Sequence, residues 1–246
     1  MDLAIWQGHI YMDIAKAIIK HGADVNAAGA TGVTPLRIAV NQSNAMISLL
    51  LLNGAEIDQV DNKDSTLLEV AACGRDLACI RILLDAGAKG LMSALKFAIA
   101  RGHVDVATVF VEHAVDDVNA AECGGSRSAM HVAAMSDIPG AIDVLVEAGA
   151  NVDVQETLEG SAPLHCAALF SCIAVAHALV EHGASIDKQD RSGWTPLQRA
   201  AGRAGTGTAD VVDLFLRWGA DENVVTNNRF DWVVSSRRRG QPGGGC

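Results

Sequence analysis

The stretch Arg191–Ala201, "RSGWTPLQRAA", sets a proline directly in front of an apolar run that ends in paired alanines. Proline breaks a helix interior, because it lacks an N–H and its ring strikes the preceding turn. At the first helical position it fits, since the missing N–H had no partner there and φ is already helical. Thr195, just before Pro196, then reads as an N-cap whose hydroxyl accepts from an orphan helix N–H. Leu197 points to a core, and Ala200 and Ala201 leave room for a second helix to come close.

Outward from this stretch the same frame recurs. Matching Leu197 are Leu36 ("TPLRIAV"), Leu68 ("TLLEVAA"), Leu95 ("SALKFAI"), Met130 ("SAMHVAA") and Leu164 ("APLHCAA"), at successive spacings of 32, 27, 35, 34 and 33. A second landmark follows 18 or 19 residues later in five of the six, at Gly54, Gly87, Ala114, Gly149 and Gly183. In the sixth it is Gly219, 22 residues on, and an earlier copy, Gly22-Ala23, closes "IAKAIIKHGADVN". Each period reads as a helix, a short turn that often carries Gly-His (Gly8-His9, Gly102-His103), and a second helix ended by a left-handed glycine. Helices of about 8–10 residues do not stand alone in water. Each must bury its apolar stripe on its neighbours. The expected fold is therefore all-α, an α-solenoid of stacked helix-turn-helix units.

These landmarks resemble the ankyrin repeat, a unit of about 33 residues with two antiparallel helices, which implies short projecting β-turn fingers on the all-α stack. The resemblance covers about residues 1–234 and is strongest at 192–223 and 161–187. It implies a single solenoid over 1–240, with a partial unit at 1–29 and units at about 30–60, 61–89, 90–120, 121–153, 154–187 and 188–223. A C-terminal cap is expected at 224–240 around Asp231 and Trp232, and a disordered tail at 241–246. The chain departs from the pattern at several places. Its start lacks a Thr-Pro-Leu, which fits either a degenerate cap or a fragment. Only eight residues separate Gly87 from Leu95, too few for a finger, and "GRAGTGTADV" lengthens the sixth inter-helix turn.

The 246 residues carry a net charge of −10 and are half hydrophobic but only 4% aromatic, which suits a core of small aliphatic side chains. The acidic balance argues against bulk nucleic-acid binding, which needs a surplus of Lys and Arg. No apolar run is long enough to span a membrane. The triplet Arg237, Arg238 and Arg239 fits a solvated helix end or a weak nuclear signal. A cytoplasmic or nuclear, monomeric chain is expected.

Catalytic, cofactor and metal chemistry is not expected. The six cysteines form no Cys-x-x-Cys and read as small buried hydrophobes. Seven of the eight histidines fall on repeat landmarks, His131 and His165 at the position after Thr-Pro-Leu, where a ring can bond the next finger's backbone; His177 has no such station. "GRAGTG" at 202–207 mimics a dinucleotide loop without the preceding strand.

What the resemblance implies is protein binding, along a groove of finger tips and first helices. Among positions the scaffold leaves free, Met135, Leu158, Leu169, Phe170 and Trp194 are apolar, with Arg127, Glu159, Arg191 and Arg203 beside them. Exposed apolar clusters mark contact, and Trp and Arg are favoured anchors. Two readings stand: a partner segment docks here, or Leu169 and Phe170 tuck into the core and Trp194 packs on a finger. The expected role is a non-catalytic binding scaffold; the alternative is a recruitment or regulatory segment of a larger signalling enzyme or ubiquitin-ligase complex.

Overall fold

The computed structural model describes residues 2–29, 32–60, 65–113, 118–119, 127–202 and 208–227, in two compact units, 1–98 and 99–246. Every regular element among the described residues is an α-helix. The first unit contains α1 (Asp2–Lys20), α2 (Pro35–Val40), α3 (Asn44–Leu52), α4 (Leu67–Gly74) and α5 (Leu77–Asp85). Here α2 pairs with α3 and α4 with α5 as hairpins, and α2 packs on α4 and α3 on α5. The next helix, α6 (Leu91–Ala100), carries the boundary between the units in sequence.

The second unit holds α7 (Val104–His113), α8 (Ala129–Ser136), α9 (Pro139–Glu147), α10 (Pro163–Phe170), α11 (Ile173–Glu181), α12 (Pro196–Ala201) and α13 (Thr208–Arg217). Its first helices α8, α10 and α12 form one layer; α7, α9 and α11 form the other, and α13 pairs with α12.

The caps explain the helix boundaries. The hydroxyls of Thr34, Thr66 and Thr195 accept from the N–H groups of Arg37, Glu69 and Gln198 at 3.3, 3.2 and 3.3 Å. Pro35, Pro163 and Pro196 each begin a helix. At the other end Gly22, Gly54, Gly87, Gly149, Gly183 and Gly219 all take φ between +82° and +86°, a region that strains an L side chain. The residue after each glycine reaches back five positions, as Ala150 N–H does to the Leu145 carbonyl at 2.9 Å, and so satisfies a terminal carbonyl.

The tighter turn inside four of the hairpins is also left-handed, with Gly102 at +71° but Arg75, Asp137 and Ser171 at +55°, +55° and +58°, whereas Asn41 after α2 and Gly202 after α12 stay right-handed at −95° and −72°. Gly102-His103 fits the expected turn. Gly8-His9 does not, because α1 runs unbroken from Asp2 to Lys20. A lone glycine costs a helix only about 1 kcal/mol, and no Ser, Thr, Asp or Asn follows Gly8 to cap a fresh helix at that turn.

The core is built as the period requires. Leu36, Leu68, Leu95, Met130, Leu164 and Leu197 are each at most 1% exposed. Burying one such side chain stabilises by about 1.5–3 kcal/mol. Ala133, Ala134, Ala167 and Ala168 are fully buried, which lets α8, α10 and α12 approach.

Two hydrogen-bonded stations recur between successive repeats within each unit. In the first, an Asn or Asp side chain accepts a backbone N–H from the following repeat. Asn26 takes Glu56 (2.8 Å) and Asp58 takes Lys89 (2.9 Å) in the first unit. Asn119 takes Asn151 (2.6 Å), Asp153 takes Ser185 (3.1 Å) and Asp187 takes Asp221 (3.0 Å) in the second. The second station is the residue after Thr-Pro-Leu. Arg37 donates to the Ser65 carbonyl (3.2 Å), His131 to Ser161 (2.9 Å), His165 to Trp194 (2.9 Å) and Gln198 to Val224 (2.5 Å). The expected histidine bonds to the next finger are thus present.

Cys79, Cys166 and Cys172 are buried as expected, while Cys73 is exposed; these four are free thiols. Cys123, Cys246, the insertion at 203–207, the Asp231–Trp232 part of the expected cap, the Arg237–Arg239 triplet and the tail lie outside the described residues.

Candidate functional site

α10 lies between α8 and α12 and is buried from Pro163 through Ala168. It reaches solvent only at its last two residues, Leu169 (37% exposed) and Phe170 (43%), both apolar. A helix enclosed by neighbours has no polar face, and its C-terminal end keeps that character where the enclosure stops. Leu158, at a finger tip, is 73% exposed. Arg127, exposed just ahead of the α8 N-cap Ser128, completes the group.

Arg127, Leu158, Glu159, Leu169 and Phe170 line one open cavity of about 120 Å³. Five of the nine candidate residues thus meet at one place. Cys166, His165 and Arg199 also line it. Met135 is half-buried in α8 and stands outside the lining; Arg191 and Trp194 lie on the neighbouring finger; Arg203 lies outside the described residues.

The finger that carries Leu158 has a specific construction. Glu156 is buried, and its carboxylate accepts from the N–H groups of Leu158 (3.2 Å) and Glu159 (2.5 Å). Burial raises its pKa, but these backbone donors and nearby His131 outweigh that and hold it below the usual glutamate value. In the next finger the buried Asp190 does the same for Ser192 (2.9 Å) and Trp194 (3.0 Å). Counting back from Gly160 and Gly193, the Leu158 finger holds one residue more. Glutamate, one methylene longer than aspartate, spans the larger turn. The fingers are joined: Arg191 N–H donates to Glu159 O (2.9 Å), and its guanidinium to Leu158 O (3.0 Å).

Arg199 organises the far wall. It forms an ion pair with the fully buried Asp190 carboxylate, including an Nε–Oδ2 bond of 2.7 Å, and reaches Glu159 at 3.3 Å. Its guanidinium also lies 5.9 Å from the Trp194 ring centroid, a cation–π contact. Trp194 therefore faces Arg199, with its backbone held by Asp190 and His165. Neither Arg199 nor Asp190 stood out in sequence. Asp190 offered only an acidic residue in a turn, and its burial is set by α12.

The Cys166 thiol is pushed up to about 11, first by burial, and so stays protonated and poorly nucleophilic. His177 finds partners after all, Glu181 at 3.1 Å and the edge of Trp218. Among the described residues no cluster of three or more His, Cys, Asp or Glu is placed to hold a metal. No described helix is long and apolar enough to cross a membrane.

A family model described as ankyrin repeats (3 copies) matches residues 1–91 and 130–226. The human B-cell lymphoma 3 protein is 29% identical over 223 residues, covering 85% of this chain and 48% of the relative. A putative ankyrin repeat protein of fowlpox virus, FPV244, is 33% identical over 73 residues, 29% of this chain and 11% of that protein. The chain spans about half the length of the B-cell lymphoma 3 proteins it matches. Among solved structures, the ankyrin repeat domain of Bcl-3, described as a unique member of the IkappaB protein family, aligns at a TM-score of 0.72 and 26% identity, covering 82% of this chain and 93% of that one. The human ASB11 ankyrin repeat domain aligns at 0.66 and 26%, covering 87% and 97%.

Proposed function

The chain belongs to the ankyrin repeat family, and on that premise we propose that it is a non-catalytic interaction module that docks a partner protein on its second unit. The contact face is centred on Arg127, Leu158, Glu159, Leu169 and Phe170. Met135 extends it, and Arg191 and Trp194 shape its far edge; Arg203 belongs to the proposal by its sequence position alone. The observation that carries this is the cavity, where exposed apolar side chains from α10 and a finger tip converge beside arginine. Trp194 acts there as a positioning residue, because its ring is spent on Arg199. Free thiols and the absence of a described membrane-spanning helix favour work in the cytoplasm, or the nucleus.

The test is affinity capture with mass spectrometry, comparing the chain with a Leu158→Ala/Phe170→Ala variant. Specific partners should be lost while the variant still folds and melts cooperatively with only a modest drop in midpoint, since Leu158 is largely exposed and Phe170 partly so. Unchanged capture by a folded variant would defeat the proposal.

A further inference from the structure

We propose that the cavity beside Arg127 takes one apolar side chain from a partner segment that carries a carboxylate next to it, with Arg127 receiving that carboxylate. The inference rests on the docking reading above and specifies the partner's chemistry.

Size sets the first half. An apolar cavity of about 150 Å³ holds a benzene, so about 120 Å³ suits a single leucine-like side chain or part of an aromatic ring. Leu158, Cys166, Leu169 and Phe170 give that side chain apolar walls. Charge sets the second half. Glu156 is occupied by its own finger's N–H groups, and Glu159 is bridged to Arg199. Arg199 is committed to Asp190 as well. Arg127 differs: it is exposed at the rim, and among the described residues no carboxylate forms an ion pair with it. A basic neighbour on the incoming segment would meet this guanidinium as a like charge; an acidic one would pair with it. Because the chain as a whole carries −10, this pairing selects partner and register and does not act as bulk attraction.

The probe is a phage-displayed library of random peptides selected on the full chain. Enriched sequences should share one large apolar residue with Asp or Glu within a few positions. Synthetic copies should bind about tenfold more weakly when that acid is changed to Lys, the gap between an attracted and a repelled charge at a partly exposed site. The charge-reversed Arg127→Glu variant, checked for an unchanged melting curve, should invert the preference. Peptides that depend on Phe170 yet show no acidic preference, or bind Arg127→Glu equally well, overturn this inference and leave the docking site standing. Peptides indifferent to both Phe170 and Leu158, or a selection that enriches nothing, overturn the inference and the docking reading together.

Discussion

The imidazoles of His131 and His165 each do two jobs that only the neutral ring performs. In both, Nε2–H donates to a carbonyl of the next finger, so Nδ1 must be an acceptor. At His131 it takes the N–H of Ser128 (3.3 Å) and faces the Ser128 hydroxyl (2.9 Å); at His165 it takes the N–H of Ala162 (3.1 Å). A second proton would aim a donor at a donor. Burial lowers both pKa values below 6.5, partly opposed by the carbonyl bonds and by Glu156 or Asp190 nearby, and assisted by Arg127 or Arg199. As the pH falls below the unfolded value, the unfolded chain binds more protons than the folded one. Their stabilisation is therefore complete above about pH 6.5 and declines as the pH drops through and below that value. Gln198 fills the same station without titrating: its Oε1 accepts from Thr195 N–H (3.0 Å) and its Nε2 donates to Val224. Accordingly, a His131→Gln/His165→Gln variant should lose less of its urea midpoint between about pH 7.5 and pH 5 than the parent. Equal losses would assign the acid sensitivity to other groups. The histidine stations were legible from the Thr-Pro-Leu frame. The arginine at 37 and the glutamine at 198 were not, because residues that differ in charge share no pattern beyond their position.

At the scale of the element, helix boundaries were readable because Thr-Pro and Gly-Ala act locally, through a hydroxyl, a fixed φ and a permissive φ. The hairpin turns were less readable, since Arg75, Asp137 and Ser171 take a left-handed conformation that glycine would advertise. That conformation costs a non-glycine residue about 1–2 kcal/mol. Ser171→Gly should thus raise stability by up to about 1 kcal/mol, less than the full strain because glycine also loosens the unfolded chain; a lower urea midpoint would contradict this. The Asn/Asp station was invisible as a link, because its partner lies about one repeat away and only the fold brings the two together. Asp153 accepts both the N–H and the hydroxyl of Ser185. Asp153→Ala should cost about 1–2 kcal/mol, read by denaturant titration, and no loss would reduce the link to a crystal-like decoration. In the third repeat the matching position is Leu91, which has no side-chain acceptor, a consequence of the short finger after Gly87. The continuous α1 shows the converse: Gly8-His9 looked like a turn, but punctuation without a following cap does not stop a helix.

Over the whole molecule, period and composition were enough to give stacked helical hairpins with a core of Leu and Ala, because each landmark serves the same contact in every repeat. The proposed docking face needed the structure. Leu158, Leu169 and Phe170 were singled out as apolar residues at spare positions, and their meeting depends on where α10 leaves the cover of its neighbours. Trp194 shows the limit of that reasoning: it is half-buried against a cation that the sequence did not pair with it. The central claim is that the surface around α10's C-terminal end grips another protein. Hydrogen exchange of the full chain, with and without a purified captured partner, tests it most directly. The account predicts that slowed exchange on binding concentrates in residues 127–135 and 156–170. Protection elsewhere, with these segments exchanging as in the free chain, would contradict it.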